Sequence, residues 1–369
     1  MFMKQYDFDD IVILHDKDRI PLSSMERQKR QGPYRYYGAQ GVIDHVDEYL
    51  FDGEYVLIAE DGENLKSQKQ DVAQLVSGKF WVNNHAHIAT TTDICRLRYF
   101  YYLINNKDLS EYVTGSAQPK LSQASMKKMS FVLPDINTQD KILEILGAID
   151  NKIKENNEIN KNLSDQLQAL YSSEFDPMMY PVTGKLSDIC HYSSERVNVD
   201  QLTTKTYYST ENMQPNKASA VEAANLPNIK QTTKCHAGDV LVSNIRPYFK
   251  KIEYVTTACG CSADVLCFVP ESNELSAFLY ETVYGDRFFD YMVAGSKGTK
   301  MPRGDKQQIM QYGIVMPSPE QLLAFNAIAT PMLALIGNQV LENERLSTLR
   351  DSLLPKLVSG EIDVSGIEL

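Results

Sequence analysis

The sequence has no long apolar opening. MFMKQYDFDD lacks the h-region of a signal peptide, and no run is read as approaching the roughly 20 apolar residues that span a bilayer, so a cytoplasmic, membrane-free location is expected. There is no C-x-x-C pair. The six cysteines, Cys95, Cys190, Cys235, Cys259, Cys261 and Cys267, fall in no disulfide-dense context, so reduced thiols are expected. Cys259 and Cys261, with Cys235 beside His236, fit no standard zinc spacing, which favours buried strand cysteines over a metal site. A P-loop is missing too: Gly298-Thr299-Lys300 runs into Met301, and Lys120 has no preceding glycine. Positive charge is in deficit. A formal net charge of −11 argues against a chain that wraps nucleic acid unaided.

What is present is length, apolar content and a repeat. With 369 residues at 43% apolar, the chain can build two or three domains. Its basic residues gather in loop-like stretches rich in Gly, Pro and Tyr: Arg27 to Arg35, "NIRPYFKK" from Asn244, and "KGTKMPRGDK" from Lys297. "TGSAQPKLS" (114–122) is answered by "AGSKGTKMP" (294–302), which sets Lys120 against Lys300, 180 residues on (300−120). "SFVLPDINTQDKILEIL" (130–146) is answered by "GIVMPSPEQLLAFNAI" (313–328), Pro134 matching Pro317. Upstream, 52–64 answers to 237–247 and 83–91 to 260–269, and an aromatic helical segment precedes each Gly-Ser loop. The order strand, polar loop, strand, aromatic helix, Gly-Ser loop, strand, Pro, long helix therefore occurs twice. Side-chain identity between the copies is low, as expected of one fold shaped for two ligands.

The helices that close the copies carry a coiled-coil seam. Ile142, Leu146, Ile149, Ile153, Asn156, Asn160, Leu163, Leu167 and Leu170 alternate steps of four and three, and the second copy gives Phe325, Ala329, Met332, Ile336, Gln339, Asn343, Leu346, Arg350 and Leu353. Both seams are amide in the middle, so Asn156 and Asn160 could bond Gln339 and Asn343 and fix an antiparallel register. Pro331 is expected to interrupt the second helix or begin a new one, and Leu349 to take the seam place of Arg350. The expected fold class is α+β: two tandem α/β modules with mostly antiparallel sheets, related by internal pseudo-symmetry and separated by two long antiparallel coiled-coil helices. The boundaries are 1–134 and 179–317 for the modules, 135–178 and 318–369 for the helices and tail.

Three stretches carry a family resemblance: "YYGAQGVIDHVDEYLFDGEYVLIAEDG" (36–62), "TGSAQPKLSQASMKKMSFVLPDINTQDKI" (114–142) and the closing "LRDSLLPKLVSGEI" (349–362). Doubled around two long helices, the chain resembles the specificity subunit of type I restriction-modification systems, HsdS. The resemblance implies a non-catalytic reader of double-stranded DNA, each module reading half of a split, asymmetric site, with the helices setting the gap. It also implies two methyltransferase (modification) subunits and restriction subunits as partners. No Asn-Pro-Pro-aromatic or Asp-Pro-Pro-Tyr element and no Gly-rich cofactor turn occurs, so no cofactor is expected in this chain and S-adenosylmethionine is expected in the partner methyltransferase.

Candidate DNA contacts follow from residue chemistry. Lys and Arg suit phosphate or guanine, Gln and Asn suit adenine. In the first module they are Arg35, Tyr36, Gln40, Asn84, His85, His87, Ser116, Gln118, Lys120 and Ser122. In the second they are Asn244, Arg246, Tyr248, Lys250, Ser262, Ser296, Lys297, Thr299, Lys300 and Arg303. A bridging coiled-coil adaptor and a free-standing DNA-binding regulator remain as alternatives at this stage.

Overall fold

The computed structural model describes residues 2–68, 70–115 and 118–367. The chain divides into two units, Met1–Ile153 with Arg345–Leu369, and Lys154–Glu344.

The first unit holds β1 (Met3–Asp7), β2 (Val12–Leu14), β3 (Tyr34–Gly38), β4 (Gly41–Val46), β5 (Phe51–Ala59), β6 (Ala73–Val82), β7 (Ala86–Thr91) and β8 (Ser130–Pro134). Six strands make one sheet in the order β2-β7-β5-β6-β3-β4, antiparallel except for the β3–β6 pair, while β1 and β8 pair apart from it. β5 shows why the order is so. Its first half, Asp52 to Glu54, is exposed, but its second, Val56 to Ala59, is an unbroken apolar run, which a strand can bury only between two neighbours. The aromatic helix Leu97–Asn105 lays Tyr99, Phe100 and Ile104 on that core, joined by Phe8, Ile11 and Phe131.

The second unit holds β9 (Gly184–Lys185), β10 (Cys190–Tyr192), β11 (Arg196–Asn198), β12 (Tyr207–Tyr208), β13 (Gln231–Cys235), β14 (Val240–Ser243), β15 (Ile252–Tyr254), β16 (Cys259–Cys261), β17 (Val265–Pro270) and β18 (Gly313–Ile314). Its sheets run β10-β17-β14-β15 and β11-β13-β16-β12, with β9 pairing β18. Cys235, Cys259, Cys261 and Cys267 line one apolar cluster with Met213 and Leu241, all buried and unbridged.

Two long helices complete the units. The central helix, Ile136–Phe175, begins where Asp135 accepts the Thr138 N–H at 3.1 Å. The C-terminal helix, Pro319–Ser359, opens with a reciprocal cap, Ser318 Oγ accepting Gln321 N–H (3.2 Å) and Gln321 Oε1 accepting Ser318 N–H (3.0 Å), with proline first in line. At 1.5 Å per residue each is about 60 Å long. Within the first unit, Ile142 and Leu146 share a core with Leu357, and Arg350 Nη1 meets Asp150 Oδ1 at 3.2 Å. Within the second, Tyr171 and Phe175 pack on Phe325, and Asn156 Nδ2 donates to Asn343 Oδ1 (2.9 Å) and Glu342 Oε2 (2.8 Å). Higher numbers on one helix meet lower numbers on the other throughout, so the pair is antiparallel.

Three seam expectations are corrected. Pro331 does not interrupt the C-terminal helix: it is exposed, and lacks only its own N–H in an otherwise continuous ladder. Arg350 keeps the seam place because Asp150, which also accepts the Tyr102 hydroxyl, pairs its charge; Leu349 is left 47% exposed. Asn160 Oδ1 and Gln339 Oε1 are buried and accept no hydrogen bond among the described residues. The expectation about apolar runs also changes, since by length and composition the C-terminal helix is long and apolar enough to cross a membrane.

Candidate nucleic-acid interface

In the first unit four loops meet at one end of the sheet. The turn after β5 carries Glu60, Asp61 and Gly62. Glu60 N–H donates to His85 O in the β6–β7 loop (2.9 Å), and Asp61 Oδ2 lies 2.6 Å from His85 Nδ1. Gly62 N–H donates to Pro119 O (3.2 Å), and Asn83 N–H donates to Tyr37 O (3.0 Å), which brings in the 114–120 loop and the end of β3. Thr114 and Lys120 exchange both backbone bonds (2.9 and 2.8 Å), closing a loop that turns through Gly115 at φ +86°. Exposed on this surface are Gln40, Asn84, His85, Gln118 and Lys120, with Arg35 on β3 nearby. Ser116 lies outside the described residues.

Beneath these loops runs a charged network. Glu60 takes Arg19 Nη1 at 3.0 Å on one oxygen and Lys120 Nζ at 3.1 Å on the other. Burial raises its pKa, but Arg19, His87 and Lys120 outweigh that and hold it below the ordinary carboxylate value. His87 is buried, Nδ1 on Asp16 Oδ2 and Nε2–H donating at 2.7 Å to Leu121 O, a carbonyl that can only accept. Asp16 also takes the Ile88 N–H (2.8 Å) and the Gln123 amide (2.5 Å). Burial pushes this carboxyl up, and those partners, His87 first, bring it below its ordinary value.

The second unit repeats the backbone pattern with other side chains. Lys297 and Arg303 exchange both bonds (2.9 and 3.0 Å) around Gly298 at φ +101°. Arg246 N–H donates to Pro302 O (2.8 Å), Asn244 N–H to Asp264 O (2.8 Å), Gly304 N–H to Asn244 O (3.2 Å) and Ser262 N–H to Tyr208 O (2.8 Å). Matching these bonds one for one equates Lys120 with Arg303, Glu60 with Asn244, and Tyr37 with Tyr208. Lys120 and Arg303 are 183 residues apart (303−120), the separation of Pro134 and Pro317. The sequence pairing of Lys120 with Lys300 is thus corrected. A search on lysine identity slips three residues because the loops conserve a bridge position and a cation, not a residue type. Each equivalent cation has a local acid: Lys120 has Glu60, and Arg303 Nη2 meets Asp264 Oδ1 at 3.0 Å.

Several candidates have structural duties instead of an open face. Tyr36 is fully buried, its hydroxyl on Leu22 N–H at 2.9 Å. His87 is 2% exposed and committed to Asp16. Ser122 caps the helix Gln123–Met126 through Ser125 N–H (3.1 Å), and Ser296 Oγ donates back to Val293 O (2.7 Å). Ser262 is half-buried in the turn that Val265 N–H closes. Lys250 pairs with Asp286 (3.0 Å), whereas Lys297 pairs with Asp305 (2.6 Å) and stays exposed. Asn244 is buried, its Oδ1 without a partner among the described residues, as is Arg246 Nε. Tyr248, Thr299, Lys300 and Arg303 are exposed. A reading weighted toward basic residues overlooked Glu60 and Asp61, although "AEDG" directly after an apolar strand marks a turn that presents its acids together.

The chain is similar to known proteins in sequence and in fold. Residues 3–165 match the family described as the type I restriction modification DNA specificity domain. The chain is 32% identical over 141 residues to the type I restriction enzyme specificity subunit S.HindORF215P of Haemophilus influenzae, covering 38% of this chain and 36% of that one. It is 24% identical over 298 residues to the type I restriction enzyme MjaIX specificity subunit of Methanocaldococcus jannaschii, covering 72% and 69%. The first of these alignments thus spans about a third of the relative's length. In fold, the S subunit of a type I restriction-modification system from M. genitalium superposes with a TM-score of 0.59 at 13% identity, over 99% of this chain and 97% of that one. Residues 3–165 thus match a type I restriction modification DNA specificity domain, and the chain shares its fold over its whole length with an S subunit of such a system.

Proposed function

We propose that the chain is the DNA-reading subunit of a type I restriction-modification complex, each module reading one half of a split, asymmetric site. The observation that carries this reading is the repeated loop cluster: one hydrogen-bonded scaffold, with Lys120, His85 and Gln118 on the first copy and Arg303, Asp264 and Met301 on the second. A conserved frame with exchanged side chains is what reading two unrelated half-sites requires. Base edges in the major groove are distinguished by which donors and acceptors face them, while the frame fixes position on the backbone.

The helices set the unread gap in this proposal, and the C-terminal helix docks two modification subunits. Leu323, Ile328, Leu335 and Leu341 stand exposed on its second-unit half, apolar surface with no cover of its own. The net charge of −11 fits a reader held on DNA by partners that supply much of the positive surface. S-adenosylmethionine is carried by the modification subunits, which perform the adenine methylation; restriction subunits complete the complex, and the chain itself works in the cytoplasm.

The test is to express the chain with its adjacent modification subunit in a methylation-free bacterium and map N6-methyladenine. A split motif methylated on both strands, lost when the chain is omitted, is expected. A complex that forms and binds DNA without any motif would reject the reading.

A further inference from the structure

The hairpin joining β14 to β15 ends in a braced tip. Val242 pairs with Ile252, and Ser243 N–H donates to Lys251 O at 3.1 Å, so residues 244–251 form its loop. Two non-glycine residues in left-handed backbone, Arg246 (φ +50°) and Lys250 (φ +51°), bracket the single turn Pro247–Phe249. Such conformations persist where surroundings over-determine them. Here Pro247 is buried, Asn216 N–H donates to Phe249 O (2.8 Å), Lys217 N–H donates to Lys250 O (2.9 Å), and the ammoniums of Lys217 and Lys250 share the Asp286 carboxylate at 2.8 and 3.0 Å.

What this rigid tip presents is an aromatic pair. Tyr248 is 49% and Phe249 38% exposed, their ring centroids 4.8 Å apart. Cations flank the rings on both sides in sequence, Arg246 before and Lys250 and Lys251 after. Arg246 N–H on Pro302 O ties the tip to the Lys297–Arg303 loop, so it is continuous with the candidate interface. Arg246 Nε and Asn244 Oδ1 at its base are buried and unpartnered among the described residues. Among the described residues the first unit shows no such device: its equivalent of Arg246 is Gly62, leading into the short helix Asn64–Ser67.

We propose that Tyr248 and Phe249 are a wedge that stacks into a base step of duplex DNA beside the half-site read by the second unit, unstacking that step and bending the duplex. Aromatic side chains on a pre-formed tip are suited to this, since stacking uses the π-face every base has and the tip is ordered before DNA arrives. The inference rests on the reading of the chain as a DNA specificity subunit, and it makes affinity, not the recognised motif, depend on the stiffness of the neighbouring step.

The test uses the complex of the full chain with its modification subunit, without methyl donor, on duplexes carrying the mapped motif. 2-Aminopurine is placed at successive positions in and around the second half-site, omitting the methylated adenine, where extrusion itself would raise fluorescence. A several-fold rise at one step is expected. Tyr248→Ala/Phe249→Ala should abolish it and weaken binding about tenfold while the methylated motif stays the same. Tyr248→Ala alone, at a half-exposed position, should give part of the loss with an unchanged thermal melt. A complex that binds and methylates normally with no responding step, a response that survives the double variant, or a changed motif in that variant would each overturn the wedge. A wild-type complex that methylates no split motif would instead reject the reading on which it rests.

Discussion

A histidine entering a strand beside a DNA-facing loop can read a base or brace the loop, and its partners decide which. His87 has both ring nitrogens engaged, on Asp16 and on Leu121 O, and is 2% exposed. His87→Ala leaves the Asp16 carboxylate buried without its main partner and should cost about 3 kcal/mol in urea unfolding. The methylated motif should stay the same, whereas an altered base at one position would make His87 a reader. Glu281 poses the reverse case in the second unit. It is 1% exposed, its Oε2 has no partner among the described residues, and burial pushes it up to about 8, opposed only by Lys217. Between its ordinary 4.5 and about 8 the folded chain keeps a proton that the unfolded chain has released, so stability falls as pH rises through that window. Glu281→Gln should flatten this slope and leave the variant more stable than wild type at pH 8 by about 3 kcal/mol, measured as urea midpoints at pH 6 and pH 8. Neither residue's role was legible from sequence: "NNHAHIATT" offers two alternating histidines, and only the packing of Asp16 under the strand separates exposed His85 from buried His87.

At the scale of elements, the long helices were the most legible part of the chain, because a seam repeating every three and four residues has one physical interpretation over so many turns. Their continuity through Pro331 was not, since a proline on the solvent side of a helix packed along its other face loses one hydrogen bond and keeps its burial. The same holds for Arg350, whose charge is acceptable on the seam only because Asp150 comes from a helix remote in sequence. The amide centre tests what the seam is for. Asn156 gives its amide to Asn343 and Glu342, and Asn343 gives its own to Asn157 at 2.9 Å. Replacing both Asn156 and Asn343 with leucine should raise stability by about 1 kcal/mol, while Asn156→Leu alone, which strands the Asn343 oxygen, should cost about 1–2 kcal/mol. If the effects of Asn156→Leu and Asn343→Leu simply add in a double-mutant cycle, the two amides are not coupled.

For the molecule as a whole, the repeat was legible as order and punctuation but not as residue equivalence. Backbone bridges define the match, and side chains on that frame have diverged until lysine stands opposite arginine and glutamate opposite asparagine. That divergence is the reason to expect the modules to be exchangeable. The β9–β18 pair closes the second module at its entry and exit, Gly313 opposite Lys185 and Ile314 opposite Gly184, just as β1 and β8 close the first. Residues 179–317 can therefore be replaced, at the two helix ends, by the corresponding module of a type I specificity subunit without cutting a sheet. On the proposed reading the hybrid should methylate a motif with one half unchanged, the other half that of the donor, and the gap retained, as read by long-read mapping of N6-methyladenine. Matched seven-residue insertions in both helices should do the converse, keeping both halves and lengthening the gap by about 10 Å, roughly three base pairs. If exchange of one module altered both halves, the units would not be independent readers; if matched insertions left the gap alone, its length would be set by the partner subunits and not by this chain.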